Sequence, residues 1–120
     1  MTYRPQGSHL LKSLQELRDR VNKGIYADID NLYSMTDICR SLAFDTETPA
    51  IFFIIERILR LIAQDWDDNP TDADEAANLQ KNITEPLINL LDALENGGSD
   101  SEQLLLANKL VSTFLSCTKP

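Results

Sequence analysis

The stretch 48-TPAIFFIIERILRLIAQDWDDNP-70 decides the fold. Its run of thirteen residues from Ile51 to Ala63 is apolar except for Glu56, Arg57 and Arg60. A bilayer span needs about 20 apolar residues with few charges, so this run is too short and too charged to cross one. Thr48 can cap a helix here and Pro49 suits its first position, where a missing N–H costs nothing. At about 100° per residue, Glu56, Arg57, Arg60, Gln64 and Asp67 gather on one side. Ile51, Ile54, Ile55, Ile58, Leu59, Leu61, Ile62 and Trp66 fill more than half of the circumference, an arc too wide for one neighbour. The segment predicts the central helix of a bundle. Phe53 does not fit that division, because it falls in the polar arc between Arg57 and Arg60. Either the 45–48 loop or the N-terminal tail covers it, or it meets a partner.

Working outward, Ser8 as N-cap, Leu10, Leu14, Leu17 and Val21 in phase with Leu11 beside them, and Gly24 as a stop predict a first helix. The pattern resumes at Ile25, Ile29 and Leu32 and loses phase at 34-SMTD-37. There Thr36 can cap a second short run with Ile38, Leu42 and Phe44, which predicts two short helices or one broken one. After 67-DDNP-70, Thr71 or Asp72 can cap a helix with Asp74 and Glu75 in its first turn. Ala76, Leu79, Ile83, Leu87, Leu90 and Leu94 keep one phase through Pro86, where the helix should kink or restart. Gly97 and Gly98 end it, Ser99 and Glu102 form a capping box, and Leu104 to Leu115 make a last helix with mostly small polar residues, buried here or against a second copy. The expected fold is all-α: a compact antiparallel bundle of four principal helices plus a short element over residues 8–117, with tails at 1–7 and 118–120.

Composition narrows the partners. The formal net charge is -8, and it is uneven. Residues 1–64 hold eight Lys/Arg and eight Asp/Glu, whereas residues 65–120 hold three and eleven. Long-range attraction to nucleic acid or anionic lipid is disfavoured. The N-terminus has no apolar signal-peptide core, and the two cysteines, Cys39 and Cys117, form no zinc spacing. Cytoplasm with both thiols reduced is the expected compartment.

Candidate chemistry is sparse. Asp65, Asp67 and Asn69 stand at the first, third and fifth places of a calcium loop. Pro70 and Ala76 then occupy the places that need Gly and a bidentate Glu, so these three are weak metal candidates. Glu56 has no acidic mate three or four residues away, Asp28 and Asp30 fall on different faces of a helix, and Asp92 with Glu95 reads as solvated surface. Arg4 and His9 have a spacing some helical ribonucleases use, but Pro5 and Gly7 interrupt the helix it requires. The 82-NIT-84 sequon lies inside a helical pattern, and no phosphate loop or nucleophile elbow occurs.

These readings favour a non-catalytic adaptor or regulatory protein, without cofactor, that binds a protein or a second copy of itself, not nucleic acid or membrane. The contact candidates are Phe52, Phe53, Arg57 and Arg60 on the central helix and Leu105 and Leu106 on the last, since arginine beside aromatics is common in interfaces. The alternatives are a helical-bundle enzyme or a ligand- or metal-binding protein using carboxylates, for which a buried Asp or Glu with a strongly shifted titration would speak, and an acidic mimic of nucleic acid.

Overall fold

Helices form wherever apolar positions recur every three to four residues. The computed structural model describes residues 7–25, 28–44, 49–68 and 73–117 and contains, among them, five helices and no strand. They are α1 (Gly7–Lys23), α2 (Ile29–Phe44), α3 (Pro49–Asp68), α4 (Ala73–Glu95) and α5 (Asp100–Cys117). α1 packs on α2, α2 on α3, α3 on α5 and α5 on α4, and α4 returns to α1. The all-α bundle is thus a closed circuit in which α5 sits between α3 and α4. Its core joins Leu14, Leu17 and Val21 of α1 to the buried face of α3 and to Ile83, Leu87, Leu90 and Leu91 of α4. Each such side chain contributes about 1.5–3 kcal/mol when fully removed from water. The wide arc of α3 is used as its periodicity requires: Ile51, Ile55, Ile58, Leu59 and Ile62 are buried, and Ile54, Leu61 and Trp66 pack against them half-buried.

α2 departs from its sequence reading. It is one unbroken helix of 16 residues, neither two short pieces nor a short accessory element. Thr36 caps nothing; its hydroxyl donates back to the Tyr33 carbonyl at 2.7 Å, so a polar residue sits buried without disturbing the helix. Asn31 is the second polar residue that blurs the pattern, and it closes the α1–α2 junction. Gly24 ends α1 at φ 122°, a region that favours glycine. The Asn31 side-chain amide donates to the Gly24 carbonyl at 3.0 Å and to that of Arg20 at 3.4 Å, while the Arg20 guanidinium donates to its oxygen at 3.2 Å. Its own N–H donates at 2.6 Å to the Asp28 carboxylate, which is the N-cap of α2. We predict that Asn31→Ala lowers unfolding free energy by about 1–3 kcal/mol, because the part-buried carbonyls of Arg20 and Gly24 lose their donor. Urea unfolding checks it, with the midpoint falling at constant slope.

At the other end of the bundle the glycine pair acts as the sequence suggests. α4 stops at Glu95, Gly97 takes φ 72°, and the Gly98 N–H donates to the Ala93 carbonyl at 2.8 Å, the bond of a Schellman ending. Ser99 then caps α5, its hydroxyl accepting from the Glu102 N–H at 3.2 Å. A Cβ on Gly98 would displace the flexible Glu102 carboxylate and press on the Ala93 carbonyl, 3.3 Å away. The Gln103 side chain reaches back to the Gly98 carbonyl at 2.9 Å and ties the two helices together.

Pro86 neither ends α4 nor restarts it: the helix runs unbroken through all 23 residues. Proline at that place removes the N–H that would meet the Asn82 carbonyl. Burial of Ile83 before it and Leu87, Leu90 and Leu91 after it holds both halves in one phase. The α1 and α4 pair is also bridged by charge. Arg18 pairs with Asp92 and, at 2.8 Å, with Glu95, so these two carboxylates grip a neighbouring helix instead of facing only water.

Candidate interaction surfaces

Adjacent residues on α3 separate core from surface. Phe52 is 1% exposed and belongs to the core, which takes it out of the contact set read from sequence. Phe53, rotated by about 100°, is 50% exposed; the 45–48 loop and the N-terminal tail, the covers considered from sequence, lie outside the described residues. Arg57 and Arg60 follow on the same strip, one and two turns along. Arg57 is exposed and has no carboxylate partner among the described residues. Phe44, the last residue of α2, is 78% exposed, an aromatic surface the sequence pattern does not single out.

Between these helices lies a buried carboxylate with two cationic neighbours. Glu56 reads from sequence as part of the polar arc, yet it is 7% exposed. The reason is α2, which lies across it and supplies Arg40, whose guanidinium stands 3.9 Å from the carboxylate. From one turn on, Arg60 Nε donates to the other oxygen at 3.1 Å. No pattern within α3 could reveal this, because Arg40 comes from another helix. Cys39 is fully buried beside the same carboxylate. Burial, and then the nearby Glu56 charge, push its thiol well above the ordinary range, so it stays protonated and unreactive.

The second surface is on α5. Leu104 and Leu105 are 54% and 68% exposed, and Leu115 is exposed too. Leu106 lies half-buried against the core instead, and Gln103, Ala107, Leu110 and Phe114 form the inward face. From Gln103 to Cys117 the only charged residue is Lys109, and the exposed positions between the leucines are Asn108, Ser112 and Ser116.

The weak metal candidates do not come together as a loop. α3 runs to Asp68, so positions 65 and 67 are helical and about 200° apart around its axis. Asn69 lies outside the described residues, and among those described no group of three or more potential ligands forms. The Arg4 and His9 pairing, like the caps assigned to Thr48, Thr71 and Asp72, also falls outside what is described. No described helix is long and apolar enough to cross a membrane. Compared with protein-family models, with curated proteins and with solved structures, the chain matches none, so function has to be argued from these two surfaces and the buried carboxylate between α2 and α3.

Proposed function

We propose that this is a non-catalytic interaction protein of adaptor or regulatory type that self-associates through the outer face of α5. The observation that carries the reading is the exposure of Leu104, Leu105 and Leu115 on a helix whose only charge from Gln103 to Cys117 is Lys109. Scattered exposed leucines are ordinary, but three on one nearly uncharged face make a patch of the kind that partners cover. Small residues between the leucines let a second helix approach closely. Two copies of the same face form a self-complementary contact, the commonest way to close a homodimer. Glu56 is the buried carboxylate that a catalytic bundle would offer. Its immediate partners are two guanidiniums, which neither give up nor accept a proton at ordinary pH. That company suits a structural counter-ion, which favours the interaction reading over the catalytic one.

Mass in solution tests the proposal. Light scattering over a roughly hundredfold range of concentration should give a dimer for the wild type, because association follows mass action. Leu105→Glu should give a monomer of unchanged helix content. A wild-type monomer at every concentration, or a dimer that ignores Leu105→Glu, overturns assembly through α5.

A further inference from the structure

We propose that the outer face of α5 takes, in competition with a second copy of the chain, a basic amphipathic helix of another protein. This rests on the reading of that face as the contact surface and names the partner whose charge fits it. The charge is counted over the helices of the whole fold. α5 packs on α3 and α4, and these three helices hold eleven Asp or Glu against four Lys or Arg, a net of -7. α1 and α2 hold four against five, a net of +1. The uncharged leucine face therefore lies in the acidic part of the molecule.

Internal pairing does not remove the imbalance. Arg18 of α1 takes up Asp92 and Glu95, and Arg40 and Arg60 take up Glu56. On α3, α4 and α5 there remain six exposed carboxylates against three exposed cations, Arg57, Lys81 and Lys109. Two of the six belong to α5 itself: Asp100 stands four residues before Leu104 and Glu102 three before Leu105, one turn from each exposed leucine. Packed helices lie about 8–10 Å apart, close to the roughly 10 Å over which charges act at 0.1 M salt, so α5 is within the field of both neighbours. Leu104 to Leu115 spans about 16 Å of helix, and a partner helix of three or more turns reaches all three leucines. Its apolar stripe covers them and its lysines or arginines meet the carboxylates, the usual manner of a helix bound on an apolar face. A second copy also offers an apolar stripe, but it brings its own -8 against this one. The basic helix gains from the field that opposes the copy, and so displaces it. Nucleic acid and anionic lipid are repelled by the same field.

The test mixes the full chain with fluorescein-labelled synthetic eighteen-residue peptides, read by anisotropy. One has leucine and lysine in amphipathic helical order, the second has the same composition scrambled, and the third has glutamate in place of lysine. The first should bind, more weakly as salt rises. The other two should bind more than about tenfold more weakly, for want of a stripe in one and of charge attraction in the other. Leu105→Ala should weaken the first peptide about tenfold, Asp100→Asn with Glu102→Gln should flatten its salt dependence, and Asp37→Asn on α2 should leave it unchanged. The glutamate or scrambled peptide bound as tightly as the first, or affinity indifferent to Leu105→Ala, overturns the basic partner. Light scattering separates this from the dimer: a dimer that no peptide dissociates sinks the basic helix alone, whereas a monomer that binds the first peptide through Leu105 sinks self-association alone.

Discussion

Phe52→Ala should remove about 3–5 kcal/mol of stability, the usual cost of truncating a buried aromatic, whereas Phe53→Ala should change it by no more than about 0.5 kcal/mol. The two residues share chemistry, helix and neighbours in sequence; they differ in burial, 1% against 50% exposed. Phe52 lies among the largest fully buried side chains of the core. Its removal loses transfer free energy and also leaves a cavity that packed helices on either side fill only in part. Since a domain of this kind has about 5–15 kcal/mol in total, the variant sits close to the edge of folding. Urea titrations of both variants decide the matter: the midpoint of Phe52→Ala falls far and that of Phe53→Ala stays, with slopes unchanged. Equal losses would mean that Phe53 is as enclosed as Phe52.

The same pair shows what the sequence makes legible. A helical wheel needs only the residues of one helix, and for α3 it divides core from surface correctly at Phe53, because the apolar arc is long and strongly one-sided. It is silent about a residue whose surroundings come from another helix. Glu56 projects among the charged residues of α3, yet Arg40 of α2 closes over it. The α4 residues Asp92 and Glu95 look solvated until Arg18 of α1 is placed against them. In α2 the failure has the opposite form. Thr36 and Asn31 are polar and buried, each satisfied by hydrogen bonds to backbone, so the apolar period appears to break where the helix in fact continues. The glycine turn after α4 is read easily because its determinants, Gly97, Gly98 and Ser99, are local. For α5, sequence leaves burial in this bundle or against another copy open; its outward leucines place only half of the helix in the core.

Glu56→Lys should cost about 3–5 kcal/mol, the penalty of leaving a buried charge uncompensated. The carboxylate side chain is 9% exposed and faces two cations, so reversing its sign puts three positive charges together where little water reaches. Arg40→Ala should cost less than about 1 kcal/mol, because that guanidinium is 50% exposed and stands 3.9 Å away, beyond hydrogen-bonding distance. Glu56→Gln falls between them, at about 1–2 kcal/mol: the amide keeps an oxygen for Arg60 Nε and loses the charge that strengthens the bond. Urea unfolding of the three variants checks both order and size. A loss for Arg40→Ala equal to that for Glu56→Lys would mean that the seam is held mainly from α2. Thiol chemistry gives an independent reading of the same site. Burial is the larger cause of the raised Cys39 pKa and Glu56 the smaller. Glu56→Gln should therefore leave Cys39 slow to alkylate in the folded protein, whereas the partly exposed Cys117 reacts in both. Rapid alkylation of Cys39 in folded Glu56→Gln would show that the carboxylate, by holding Arg40 and Arg60 over the seam, is what closes α2 on α3 against solvent.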